Sequence, residues 1–87
     1  MKIGKRAQAG TLQSSDLMVL VEPASVLIIE IESTVKQQFE HLIRAKILEV
    51  LRANDVIAGR VRVTDRGALD YAIQARIETA LARSAEA

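Results

Sequence analysis

Two adjacent hydroxyl groups, on Ser14 and Ser15, are the most promising chemical groups in this sequence. They lie in the polar segment 11–16, between a short first strand and the apolar run 17–21, as expected for the tip of a β-hairpin. Elsewhere the chain has no Cys or Trp, and only one His, one Tyr and one Phe. A protein so poor in reactive side chains that presents serines on an exposed turn is a candidate for carrying chemistry attached to it.

The turn also has a simpler, purely structural interpretation. Ser and Asp are common in turns because their side chains hydrogen-bond to nearby backbone groups, and Asp16 is expected to do so under either interpretation. In both cases the turn 13–16 is expected to be exposed, with the backbone amides of Ser14 and Ser15 open to exchange with solvent.

His41, Glu30 and Glu32 are weaker candidates for a site. His41 lies one residue off the apolar stripe of the first predicted helix, so we expect it on the solvated face rather than in a catalytic triad or ligand set. Paired carboxylates such as Glu30 and Glu32 can bind metals or do acid–base chemistry. Here they alternate with apolar residues, which a solvated strand face explains.

Arg60, Arg62 and Arg66 could form a basic strip. The simpler interpretation is an exposed strand face. The functional alternative is docking onto an acidic partner or onto the phosphates of an attached group.

The composition describes one small domain, spanning residues 1–87. Apolar residues make up 49% of the chain, which argues against disorder, whereas aromatic residues make up only 2%. The core must therefore be built from Leu, Ile, Val and Ala, which leaves little room for a deep catalytic cavity. The absence of Cys excludes disulfides, a thiolate nucleophile and zinc–thiolate sites.

The charge and the hydropathy of the chain limit the classes of partner that it is expected to bind. The net charge is only +1, and the chain has few aromatic side chains with which to stack on nucleic acid bases. The basic N-terminus is not followed by the apolar segment of a signal peptide, and the apolar runs are too short to cross a bilayer. We therefore expect a cytoplasmic protein with no nucleic-acid or membrane partner.

Apolar periodicity predicts four strands and two helices. The strands are predicted at residues 5–12, 17–22, 26–32 and 60–64. The first helix is expected to begin near Thr34, which forms a capping box with Gln37, and to stop at residues 54–55. The second helix follows the turn 65–67, with Asp65 as its N-cap.

Both predicted helices carry an apolar stripe that should face the sheet. The first stripe consists of Val35, Phe39, Leu42, Ile43, Ile47, Val50 and Leu51, and the second of Leu69, Ala72, Ile73, Ile77, Ala80 and Leu81. Arg76 falls on the second stripe, where its aliphatic stem can pack while its head reaches water. On the third strand, Leu27, Ile29 and Ile31 share the face that the first stripe is expected to cover.

The element order βββαβα is typical of a two-layer α+β domain, with a four-stranded mixed sheet and two helices on one face. The short connections favour an antiparallel meander for the first three strands. The helical connection between the third and fourth strands favours parallel pairing with a right-handed crossover.

Taken in order, the residues of nearly the whole chain resemble the acyl carrier protein, or gamma chain, of citrate lyase. The resemblance rests on Ala-Gly-Thr-Leu at 9–12, Ser14 with Asp16, Glu-Pro at 22–23, Lys-Gln-Gln-Phe at 36–39, Ile-Arg at 43–44, Asp-Arg-Gly-Ala-Leu-Asp at 65–70 and Ala-Arg at 75–76. A Ser-x-Asp turn alone is not specific, but this ordered set in one short chain is.

The resemblance implies that Ser14 carries a covalently attached prosthetic group. In this family the first serine of the turn bears 2'-(5''-phosphoribosyl)-3'-dephospho-CoA through a phosphodiester, and Ser15 matches its small neighbour. This arm would supply the thiol that the chain lacks, so that acetyl and citryl groups travel as thioesters. The implied partners are the citrate lyase alpha and beta subunits, which cleave citrate to oxaloacetate and acetate, and the transferase that attaches the group. The chain itself would be a non-catalytic carrier.

Three alternatives stay open. The carrier subunit of malonate decarboxylase uses the same kind of prosthetic group on a similar hairpin, although the segment 65–70 favours citrate lyase. The carrier of a citramalate lyase is harder still to separate. A different class is a non-enzymatic interaction domain that pairs with other proteins through a sheet edge.

Overall fold

A computed structural model describes residues 2–34 and 39–85 of the chain. In chain order its elements are β1 (Ala7–Gly10), β2 (Leu17–Glu22), β3 (Leu27–Ser33), α1 (Glu40–Ala53), β4 (Gly59–Asp65) and α2 (Asp70–Ser84). The βββαβα order and the α+β class expected from the sequence are confirmed. The bounds of β2 are those predicted, β1 is shorter than predicted, β3 is shifted by one residue, and β4 is longer by one residue at each end.

The four strands form one sheet in the order β1-β2-β4-β3. β1 pairs with β2 and β2 with β4, both antiparallel, whereas β3 and β4 are parallel, as the helical connection predicted. The expected meander of the first three strands is wrong, because β4 lies between β2 and β3. Burial gives the reason: Val61 and Val63 of β4 are completely buried, which suits a central strand, whereas the apolar residues of β3 are only half-buried at the edge.

The core lies between one face of the sheet and the two helices. α2 packs on β1 and β2, and α1 packs on α2 and on β3. The buried apolar residues of these elements are Ala9, Leu17, Val19, Val21, Val61 and Val63 in the sheet, Ile47, Val50 and Leu51 in α1, and Ile73, Ile77, Ala80 and Leu81 in α2. The opposite face of the sheet carries the alternate, largely polar residues of each strand.

The beginnings of both apolar stripes are exposed, contrary to the prediction. Phe39 is 45% exposed, Leu42 56% and Leu69 62%, so none of them belongs to the core. Only the later part of α1 reaches the buried layer, beginning with the half-buried Ile43. Ile43 in the first turn of α1 and Ala72 and Ile73 in the first turn of α2 do pack on the core, so only the residues at the very start of each stripe are left in solvent. Val35 lies outside the described residues.

The helix starts also differ from the prediction. α1 begins at Glu40, later than expected, and has no side-chain cap; Gln37 of the expected capping box lies outside the described residues. Asp65 is not the N-cap of α2, because that position is taken by Leu69. Asp65 instead ends β4, is buried, and accepts a hydrogen bond from the Ala68 N–H at 3.0 Å.

Other local expectations for α1 are confirmed. The exposed pair Glu40–Arg44 forms at 3.9 Å. The helix ends at Asn54, as expected, although the left-handed residue is the next one, Asp55, with a φ of 56°.

Replacing Ile77 by alanine should lower the free energy of unfolding by about 3 kcal/mol, because it removes a fully buried side chain and leaves a cavity. The same change at Phe39 should cost less than about 1 kcal/mol, because Phe39 is half in water. Urea denaturation of both variants beside the parent protein measures the two losses. Equal losses of unfolding free energy would indicate that Phe39 is buried in the core, and would contradict the helix packing described above.

Candidate functional site

Ser14 lies at the outermost point of the β1–β2 hairpin. The Asp16 N–H donates to the Gln13 carbonyl at 3.1 Å and closes a four-residue turn with both serines exposed at its centre. Ser15 adopts a left-handed conformation, with a φ of 66°, which suits the third position of such a turn. Among the described residues, none bonds to the Ser14 hydroxyl. This hydroxyl is therefore open to another molecule.

The carboxylate of Asp16 is the centre of the hydrogen bonding beneath the turn. It accepts a hydrogen bond from the Thr11 hydroxyl at 2.6 Å and one from the Leu17 N–H at 2.8 Å. The Arg76 guanidinium donates to both oxygens, at 3.2 and 2.9 Å. These bonds, with Thr11 contributing most and Arg76 next, lower the pKa of Asp16 from 3.8 to about 2. Asp16 thus holds the turn in place through these hydrogen bonds and is not a proton donor at neutral pH.

Arg76 is the residue that sequence reasoning misread. Its head was expected in water, but in the structure it reaches back to a carboxylate sixty positions earlier in the chain. The available signal was an arginine on an otherwise apolar helix stripe, because long charged side chains at such positions usually have a partner. Through Arg76, the tip of the hairpin is fixed to α2.

The turn is also joined to the segment that follows β4. The Ser15 N–H donates to the Arg66 carbonyl at 2.8 Å, and the Arg66 N–H donates to the Asp16 carbonyl at 2.8 Å. These two bonds continue the β2–β4 ladder beyond its last paired residues, Leu17 and Asp65. The expectation of two freely exchanging serine amides therefore fails at Ser15, whose amide is bonded.

Gly10 allows the hairpin to close so tightly. Its φ is 102°, and a Cβ built there would lie 1.9 Å from the carbonyl oxygen of Leu17. Any other residue would force the two strands apart just below the turn. Glycine at this position is therefore a requirement of the close backbone approach.

Glu30 and Glu32, their arginine partners and His41 do not join this site. Glu30 binds Arg60 at 2.7 Å, an interaction that lowers the pKa of Glu30, and Glu32 faces Arg62 at 3.9 Å. Arg60 and Arg62 of the expected basic strip are thus paired on the face of the sheet opposite the helices, whereas Arg66 lies beside the turn. His41 is exposed on α1, as expected.

Residues 2–34 and 39–85 contain neither a metal-binding cluster nor a membrane-spanning helix. No group of three or more His, Cys, Asp or Glu side chains in these ranges could hold a metal ion. No helix there is long and apolar enough to cross a membrane.

Comparison with known proteins gives consistent matches over almost the full chain. A family model described as malonate decarboxylase delta subunit (MdcD) matches residues 4–84. The citrate lyase acyl carrier protein of Haemophilus influenzae (strain PittEE) is 49% identical over 86 residues, covering 99% of this chain and 90% of its own length. The citrate lyase acyl carrier protein of Cronobacter sakazakii is 50% identical over 88 residues, covering 100% of this chain and 91% of its own length.

Two solved structures share the fold. A chain in the crystal structure of a Pseudomonas malonate decarboxylase hetero-tetramer in complex with malonate matches with a TM-score of 0.78 at 25% identity, covering 94% of this chain and 86% of that one. A protein from Thermus thermophilus matches with a TM-score of 0.69 at 16% identity, covering 95% of this chain but only 16% of its own. The second likeness concerns the fold alone.

Replacing Asp16 by asparagine should destabilise the protein in a pH-dependent way. Because folding lowers the pKa of Asp16, its charged form stabilises the fold above its ordinary pKa, and this contribution disappears as the pH falls towards 2. We expect a loss of about 1–2 kcal/mol at pH 7, discounted for the partly exposed guanidinium of Arg76. Urea denaturation between pH 2 and 7 measures the difference, and a loss of the same size at every pH would contradict this assignment.

Amide hydrogen exchange should distinguish the two serines. Ser15 donates its N–H to a carbonyl whereas the Ser14 N–H has no acceptor among the described residues, so exchange at Ser15 should be slower by about tenfold or more. Exchange followed by NMR at neutral pH gives both rates in one sample. Protection of Ser14 equal to that of Ser15 would show that the turn is not open as described.

Proposed function

Because this chain belongs to the family of citrate lyase acyl carrier proteins, we propose that it serves as the acyl carrier subunit of a multi-subunit citrate lyase. Members of this family are carriers and not catalytic subunits. The observation that carries the proposal for this chain is the exposed hydroxyl of Ser14, which no described residue bonds, at the tip of a turn held by hydrogen bonds.

We propose that Ser14 is the attachment point of 2'-(5''-phosphoribosyl)-3'-dephospho-CoA. When bound, this group supplies a thiol that carries acetyl or citryl as a thioester, and a chain without cysteine has no thiol of its own. The fit rests on two features: the Ser14 hydroxyl reaches solvent, and the backbone on both sides of the turn is fixed by hydrogen bonds. A modifying enzyme therefore finds the hydroxyl accessible, and the base of the arm stays in one place.

The chain's own contribution is to present the arm. Asp16 and Arg76 hold the base of the turn against α2, and Gly10 lets the hairpin close beneath it. Loops on a rigid scaffold are well suited to being reached by several partners in turn. The partners of the proposed carrier are the alpha and beta subunits of the complex and the transferase that attaches the arm.

The proposed substrate is citrate rather than malonate. The relatives that are 49–50% identical are named citrate lyase acyl carrier proteins, whereas the malonate decarboxylase structure matches at 25% identity. That structure is a hetero-tetramer, which supports a carrier that works within a larger assembly. A citramalate lyase carrier is compatible with the same observations.

The alternative of an interaction domain that pairs through a sheet edge receives no support. The Arg44 side chain donates to the Ile29 carbonyl on the β3 edge at 3.4 Å, and the Arg83 side chain donates to the Gln8 carbonyl on the β1 edge at 2.8 Å. Each edge thus already has a backbone acceptor occupied by a charged side chain, a feature that discourages strand addition.

Changing Ser14 to alanine should abolish attachment of the arm while changing stability by less than about 0.5 kcal/mol, because only an exposed hydroxyl is lost. The matched control is Ser15→Gly, which removes the neighbouring hydroxyl and suits the left-handed backbone at that position. Each variant is expressed with the transferase, and its intact mass and its activity with the partner subunits are measured.

We expect the Ser14 variant to stay unmodified and inactive, and the Ser15 variant to gain the arm and stay active. If the Ser14 variant gains the arm and the Ser15 variant does not, the attachment point is Ser15. Unmodified but fully active variants would contradict the carrier function itself.

A further inference from the structure

We propose that the side chain of Arg66 binds the phosphodiester through which the arm is attached to Ser14. This inference rests on the carrier function proposed above, and it assigns a second residue to the attachment site. It concerns how this chain holds the first charged group of the arm.

The backbone places Arg66 beside the attachment turn. Its carbonyl accepts from the Ser15 N–H and its own N–H donates to the Asp16 carbonyl, both at 2.8 Å. Arg66 thus adjoins the two residues that follow Ser14, and it is held by two bonds that do not involve its side chain. Because Ser14 directly precedes Ser15, we infer that an arginine side chain at position 66 is long enough to reach a phosphate on the Ser14 oxygen.

Among the described residues, the side chain of Arg66 has no ion-pair or hydrogen-bond partner, unlike the side chains of three other arginines. Arg76 is bound to Asp16, Arg60 to Glu30, and Arg62 to Glu32. Within residues 2–34 and 39–85, the guanidinium of Arg66 makes no ion pair or hydrogen bond. At this end of the sheet it is therefore the arginine available for a new anion.

The two nearby carboxylates do not compete strongly for Arg66. Asp16 already accepts hydrogen bonds from Thr11, Leu17 and Arg76, and that arginine offsets its charge. Asp65 is buried, and its carboxylate accepts hydrogen bonds from the Ser33 hydroxyl and the Ala68 N–H. A phosphodiester, in contrast, would arrive as an anion without a partner at the surface.

The chemistry and the available space suit this contact. A phosphodiester carries one negative charge at neutral pH, and the planar guanidinium can donate two parallel hydrogen bonds to its oxygens. The residue after Arg66 is Gly67, with a φ of 92°, and a Cβ built there would meet no atom within 4 Å. The surface beside Arg66 is therefore open to the base of the arm.

The test compares Arg66→Gln and Arg66→Lys with a matched control, Arg52→Gln. The control removes the same charge from the last turn of α1, beside the beginning of β4 and so at the opposite end of the sheet from Ser14. Each protein is co-expressed with the transferase, and its intact mass shows whether the arm is attached. The phosphorus NMR linewidth of the phosphodiester then reports how firmly the base of the arm is held.

We expect the phosphodiester signal of Arg66→Gln to narrow about two-fold, because the phosphate then moves independently of the domain. The control should match the parent protein, and Arg66→Lys should lie between them, since an ammonium keeps the charge but not the paired hydrogen bonds. Raising the salt concentration to about 0.5 M should narrow the parent signal towards that of the Gln variant, because an exposed ion pair is screened.

Two results would overturn the inference. One is an equal linewidth in the parent, Arg66→Gln and the control. The other is slower attachment in Arg66→Gln with an unchanged linewidth, which would assign Arg66 to recognition by the transferase. Absence of the arm from all proteins, the parent included, would instead contradict the proposed function on which the inference rests.

Discussion

The contact between Asp16 and Arg76 fixes the part of the molecule on which the proposed function depends. A hairpin tip is ordinarily the least restrained part of a sheet, because strand pairing ends just below it. Here the Asp16 carboxylate accepts hydrogen bonds from the hairpin itself and from α2, which joins the tip to the helical layer. The bonds between the turn and Arg66 add a third attachment, to the end of β4. The tip can therefore be exposed and still have a defined position.

In this arrangement the domain would present the arm, whereas the reactive group would belong to the arm itself. The core is a plain layer of aliphatic side chains, and the outer face of the sheet is covered by ion pairs such as Arg60–Glu30. Both edges of the sheet have backbone acceptors bound by arginines of the helices. These features give a stable base with few reactive groups. A carrier benefits from such a base, because side reactions with the transported acyl group are less favoured when the surface offers few nucleophiles.

The sequence predicted the features that depend on local pattern and missed those that depend on distant contacts. The apolar run of β2, the alternation in β4 and the later stripe of α2 were identified correctly, because each is a pattern that the chain itself displays. The place of β4 was not predictable in this way, since strand order is decided by pairing between distant segments. Phe39 shows the same limit: the helical period continues through it, but no distant segment covers its side chain, which is 45% exposed among the described residues.

In the candidate site, too, local features were predicted and features that depend on distant contacts were missed. Ser14 could be proposed as a site from residue type, turn context and family resemblance, and the structure shows it to be exposed. Arg76 and Arg66 could not be placed beside it, because they approach the turn only when α2 packs and when β4 pairs with β2. The bonded amide of Ser15 was missed for the same reason. The position of the turn is a local property, whereas its restraint is a product of the whole fold.

The central place of β4 has a consequence for how the protein is made. Among the described residues, β3 has only β4 as its neighbour in the sheet, and β2 gains its second neighbour from the same strand. Until residues 59–65 have left the ribosome, β3 remains without a partner and the β1–β2 hairpin is a two-stranded unit, which is marginally stable alone. The sheet is thus completed only when β4 is available to join both earlier pieces. Because the turn is restrained only after β4 has paired, a transferase that requires the restrained turn would modify chains in which β4 is already in place.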